Sequence, residues 1–119
     1  MKYMLMIHQG DAPTPRSPED WARLSEEVQR QIYADYRSVS ETPGVTPGLQ
    51  LDSPEGATTV RVEDGETLVT DGPFVTVKEA LGGWLLYEAD DLDAAIELAA
   101  RIPAARLGGA IEIRPVVER

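Results

Sequence analysis

The sequence predicts an α+β fold in a single domain, and three observations carry that prediction. Residues 2–8 alternate strictly, with Tyr3, Leu5 and Ile7 on one side and Met4, Met6 and His8 on the other, as a strand requires. Trp21, Leu24, Val28, Ile32, Tyr36 and Val39 step by three or four residues, the stripe of an amphipathic helix. Between two β-branched runs, Asp64-Gly65 marks a tight hairpin turn.

The elements then follow in order. Both faces of the first strand are largely apolar, so helices are expected to cover one face and a second subunit the other. Residues 9–16, with Gly10, Pro13 and Pro15, form a loop. Ser17 as N-cap, Pro18 at the first helical position and acids at Glu19 and Asp20 start one helix that runs along the stripe to Val39. Pro43-Gly44 and Pro47-Gly48 end it, and residues 49–56 form a connection with room for a short edge strand. Residues 58–62 and 67–70 make the hairpin. Residues 81–89 form the next strand, with Trp84, Leu86 and Glu88 opposite Gly83, Leu85 and Tyr87. Asp90, Asp91 and Asp93 crowd a helix N-terminus, where unpaired N–H groups favour carboxylates. Leu92, Ile96 and Ala99 supply its stripe, Arg101 suits its C-terminal end and Pro103 stops it. Residues 111–117 close the chain as a strand. The order β-α-β-β-β-α-β is the ferredoxin-like split βαβ plan with an extra hairpin strand.

Composition narrows function. A chain of 119 residues with 42% hydrophobic content builds one core. The absence of cysteine excludes disulfides, thiolate nucleophiles and Cys-ligated metals, and a single histidine argues against a His-based metal site. Net charge of −10 opposes binding to nucleic acid or anionic lipid. No run of about 18 apolar residues and no signal-peptide pattern is present, so a cytoplasmic protein is expected.

Residues 71–83 concentrate the unusual features. Gly72-Pro73 makes a stiff turn that gives Asp71 a defined direction, although an Asx-type turn alone accounts for an Asp-Gly pair. Asp71-Gly72-Pro73-Phe74, followed by Lys78-Glu79, Gly82-Gly83, Ile102-Pro103-Ala104-Ala105 and Glu112-Ile113-Arg114-Pro115, resembles the signature of the DGPF proteins, a branch of the YCII-related family; the opening Lys2-Tyr3-Met4-Leu5 is also in pattern. The resemblance covers nearly the whole chain. It implies a ferredoxin-like fold that pairs through its sheets into a dimeric α/β barrel, and no settled reaction. YCII-related proteins are associated with a His–Asp dyad whose histidine lies on the first helix. Asp71 matches the aspartate, but no histidine lies between Trp21 and Val39, and His8 is not in that position.

Alternation places Met6, His8, Trp84, Leu86 and Arg114 on one sheet face, with Asp71 at a rim, and these are the expected lining of a pocket between subunits. Asp71 and His8 are the candidates for moving a proton. Arg114 would hold negative charge, or else pair with Glu112 or Asp71; Trp84 and Met6 would pack on a ligand. Lys78 and Glu79 are further binding candidates or a solvated pair. Gly82-Gly83 leads into a strand and lacks a dinucleotide fingerprint, so close chain approach or a bulge is expected there. Neither a metal nor an organic cofactor is called for. Two functions stand: a cofactorless binder or enzyme for a small anionic or phenolic metabolite, acting as a homodimer, or a regulatory module. The second follows from the association of DGPF-like proteins with alternative sigma factors.

Overall fold

The computed structural model describes residues 1–14, 18–74 and 81–118. Among these, six strands and three helices follow one another as β1 (Lys2–His8), α1 (Pro18–Ala22), α2 (Glu26–Ser40), β2 (Val45–Gln50), β3 (Thr58–Glu63), β4 (Glu66–Asp71), β5 (Leu81–Glu88), α3 (Leu92–Ala100) and β6 (Ala110–Pro115). The fold is α+β. Four strands form one antiparallel sheet in the order β2-β5-β1-β6, and β3 and β4 form a separate two-stranded sheet.

The register sorts the sheet residues cleanly. Leu5 lies between Leu85 and Ile113, and Tyr3 and Ile7 flank it on the same face. These odd-numbered residues join Val39 of α2, Ala95, Leu98 and Ala99 of α3, and Ile102 in one core, so both helices cover that face. Leu5 and Ile102 are fully buried. Burial of such side chains contributes about 1.5–3 kcal/mol each.

Three expectations are corrected. The single helix expected from the apolar stripe is two helices, because Ser25 is extended and its Oγ accepts the Val28 N–H at 3.1 Å, which starts α2 afresh. Gln29 Nε2 spans the break, donating to the carbonyls of Trp21 at 2.8 Å and Leu24 at 3.4 Å. The N-cap expected at Ser17 lies outside the described residues.

The second strand begins at Val45, earlier than the 49–56 connection, and takes in Pro47 and Gly48. It is an edge strand, where a missing N–H is tolerated, and its register is irregular between Pro47 and Gln50. Gly48 fits there because any Cβ would come within 2.6 Å of the Trp84 ring.

In α3, Leu92 and Ile96 are each 49% exposed, and the buried stripe is Ala95, Leu98 and Ala99. Small alanines let this helix approach the sheet closely, so the larger residues turn outward. Its N-cap is Asp91, which accepts the Ala94 N–H at 2.9 Å.

The hairpin forms where expected. Asp64 and Gly65 take φ of 51° and 79°, the positive pair that a two-residue turn demands. Apart from half-buried Thr59, every residue of β3 and β4 is exposed.

Candidate functional site

The open face of the four-stranded sheet carries the even-numbered residues of β1. Met4 lies between Leu86 and Arg114, and Met6 between Trp84 and Glu112. His8 follows in the same alternation. Met6, His8, Trp84, Leu86 and Arg114, the expected lining, therefore share this one face.

Its polar end is organised by Glu112. His8 Nε2 lies 3.1 Å from Glu112 Oε1, and Arg114 Nε donates to Glu112 Oε2 at 2.9 Å. An ionised carboxylate only accepts, so Nε2 is the protonated nitrogen in this contact. The His8 hydrogen bond first, and then that of Arg114, hold the Glu112 carboxyl below its ordinary value. Arg114 thus takes the alternative of pairing with Glu112, while its side chain remains 71% exposed.

Asp71 lies elsewhere. It ends β4, opposite Thr58, and is exposed on the separate hairpin sheet. The turn beyond it is fixed by its backbone: Gly72 N–H donates to the Ala57 carbonyl at 2.7 Å, and Thr59 Oγ1 donates to the Gly72 carbonyl at 2.8 Å. Phe74 is exposed, with the Arg61 guanidinium 4.8 Å from its ring centroid. Lys78 and Glu79 lie outside the described residues. Among the described residues no His, Asp or Glu grouping could hold a metal ion.

A concave site lies on the other, helix-covered face. A cavity of about 310 Å³ separates α1 and α2 from β2 and β5, at the lower end of the range for small-molecule sites. Its floor is Ile7, Gly82, Gly83 and Leu85, and its helix wall carries Trp21, Tyr33 and Tyr36. Trp21 and Tyr33 meet edge to face with centroids 5.5 Å apart. Tyr33 is 52% and Leu49 71% exposed, which places the mouth at these two residues.

The two glycines of the floor are close to neighbouring groups. At Gly83 a Cβ would make ordinary contact with the Leu49 carbonyl oxygen at 3.4 Å, Gln50 Cα at 3.8 Å and Ile7 Cδ1 at 3.9 Å. At Gly82 a Cβ would strike Gln9 Cγ at 2.5 Å, and the close approach expected of this pair is to the Gln9 side chain.

Tyr36 is the chief polar group inside. Burial pushes its phenol above the ordinary value, opposed by hydrogen bonds with the Gln9 side chain and the Ala104 backbone. Behind it, Arg106 donates to Asp35 Oδ2 at 2.6 Å and Gln31 Nε2 donates to Asp35 Oδ1 at 2.8 Å; Gln31 first, then Arg106, hold the Asp35 carboxyl low.

Of the residues singled out from the sequence for binding, Trp84 borders this cavity. Gln9, Tyr33 and Tyr36 were not among them. The available signal was a helix stripe rich in rings facing a strand that opens with two glycines, large groups opposite missing ones.

Comparison with known proteins identifies one family. The model of the YCII-related domain matches residues 1–119. An uncharacterized protein of Rhizobium meliloti (strain 1021) is 31% identical over 118 residues, covering 98% of this chain and 92% of the relative.

Proposed function

This chain belongs to the YCII-related family, and on that premise we propose that it binds, or binds and converts, a small ring-bearing metabolite in the cavity between α2 and β5. The observation that carries this reading is the cavity itself, a slot of about 310 Å³ with three aromatic side chains on one wall and a two-glycine floor on the other. Apolar walls with a few convergent polar groups are the usual make-up of a ligand site. The strand order β2-β5-β1-β6 supports the ferredoxin-like plan, with β3 and β4 as the added hairpin.

The open face fits the role of dimer surface. Met4, Met6, Trp84 and Leu86 lie there without a covering helix, and pairing two such faces gives a dimeric α/β barrel. In this reading His8 and Arg114 stay in the ion-pair network at that interface. Asp71, on the DGPF turn, belongs to the hairpin rather than to the ligand slot.

Thermal denaturation against small phenols, acids and ketones tests the proposal in the wild type, Gly83→Val, Arg114→Ala and Asp71→Asn proteins. Stabilisation is expected in the wild type and in the last two variants, and its loss in Gly83→Val, whose side chain fills the slot. Loss in Arg114→Ala or Asp71→Asn, with Gly83→Val unaffected, would return the ligand to the charged face.

A second reading, a regulatory module that engages a protein such as an alternative sigma factor, draws on the hairpin. Val60, Val62 and Val69 share one face and are 59%, 67% and 64% exposed, an apolar strip with no cover in the monomer. Titration of a purified alternative sigma factor with wild type and a Val60→Asp/Val62→Asp protein separates this reading from the first.

A further inference from the structure

The cavity's walls carry a property that its shape does not. Among the described residues no Asp, Glu, Lys, Arg or His lines it; the polar side chains are Gln9, Thr14, Tyr33, Tyr36, Ser40 and Gln50. In a protein with 27% charged residues, a pocket whose described walls carry no formal charge is a selective environment. A carboxylate or phenolate entering it would give up hydration with no cation among the described walls to replace it, which costs several kcal/mol. Of the described cations, Arg106 pairs with Asp35 at 2.6 Å, and Arg101 donates to the hydroxyls of Ser38 at 2.8 Å and Thr42 at 3.4 Å.

Tyr36 supplies directionality. Hydrogen bonds with the Gln9 side chain and the Ala104 backbone both favour its ionised form. The Ala104 N–H sits in the first turn of the 3-10 helix Pro103–Ala105, where helical N–H groups have no partner within the helix. The phenol also carries a proton that it can donate. Tyr36 borders the cavity, and a ligand oxygen is the partner that this donor would meet there. Gly83 borders the cavity without a side chain, which lets a ligand approach the backbone of β5 there.

Resting on the cavity reading above, we infer that the ligand is an uncharged ring compound bearing a carbonyl or comparable oxygen, held by a hydrogen bond from the Tyr36 O–H, and that anions of the same size are rejected. This narrows the ligand to a neutral class and makes Tyr36 the residue that sets specificity.

The test measures dissociation constants, by amide chemical-shift titration, for methyl benzoate and ethylbenzene on wild type, Tyr36→Phe and Gln9→Leu proteins. A second series follows 4-nitrophenol, which loses its proton near neutrality, on the wild type at pH values either side of that point. Wild type is expected to bind methyl benzoate about three- to tenfold tighter than ethylbenzene, the range of one net hydrogen bond. Shifts should centre on the Gly82 and Gly83 amides. Tyr36→Phe should lose that preference while still binding ethylbenzene, and 4-nitrophenol should weaken at least tenfold as it ionises. Equal binding of both esters and hydrocarbons, a preference that survives Tyr36→Phe, or tighter binding of the nitrophenolate would each overturn the inference and leave the cavity reading standing. Binding of no ring compound at these amides would overturn both. If Tyr36→Phe fails to fold, the nitrophenol series needs no variant, and Gln9→Leu, which removes one hydrogen bond to the phenol, should alter the ester preference.

Discussion

The two faces of the four-stranded sheet differ in what holds them and in what they offer. One face is closed by α2 and α3 over Tyr3, Leu5, Ile7 and Leu85, and where that closure is incomplete it leaves a slot whose described lining carries no charge. The other face is open and carries a carboxylate that binds an imidazole and a guanidinium together. Charged groups make the second face look like the functional one. Shape favours the first. A site needs a concave surface before it needs reactive groups, because only exclusion of water gives a hydrogen bond or a charge its selectivity.

Neighbouring residues of β1 test the contrast most strongly. Leu5 is fully buried, and Leu5→Ala is expected to cost about 2–5 kcal/mol, whereas Met4→Ala, one residue away on the open face, should cost under about 1 kcal/mol in dilute monomer. Urea denaturation of the two variants measures this. If Met4→Ala becomes costly as protein concentration rises, the open face is covered by a second copy.

Leu86→Arg sharpens the same point. Leu86 lies opposite Met4 at the centre of the open face, and an arginine there leaves an uncompensated charge in a paired interface. An expected penalty of about 2 kcal/mol weakens self-association roughly thirtyfold. Light scattering should then return the 13.0 kDa monomer at concentrations where the wild type has twice that mass. A wild type that is itself monomeric would remove the dimer from the proposal.

Legibility in the sequence follows the range of the interactions involved. Strict alternation identified the faces of β1, β5 and β6, and two positive-φ positions at Asp64-Gly65 produced the hairpin, since both depend on adjacent residues. The break before α2 was not legible, because the apolar period runs unbroken from Trp21 to Val39 and Ser25 interrupts it only through its own side chain. The face bearing His8, Trp84 and Arg114 was legible for the same reason as the strands. The slot was not, since it lies between elements that are far apart in the sequence. Tyr36, Val39, Ala104 and Leu107 all line it, residues far apart in sequence that individually read as ordinary core.

The smallest effect separates the charged face from the neutral one by pH. The Glu112 carboxyl is held below its ordinary value in the folded protein, so it binds fewer protons folded than unfolded across the window between the two values. Its contribution to stability is therefore complete above the ordinary carboxylate range and is lost as pH falls through the depressed value. Glu112→Gln removes the ionisable group, and the stability gap between wild type and variant is expected to shrink steadily from about pH 6 to about pH 3. Asp35, which is also held low, titrates in both proteins and cancels in the difference. Because Glu112 is partly exposed, added salt should shrink the gap as well. A matching series on Tyr36→Phe should show no slope over this range, since a phenol pushed upward by burial does not titrate there. A gap for Glu112→Gln that stays constant with pH and with salt would mean that its contacts with His8 and Arg114 add no net charge stabilisation, and the open face would then rest on Met4, Met6 and Leu86 alone.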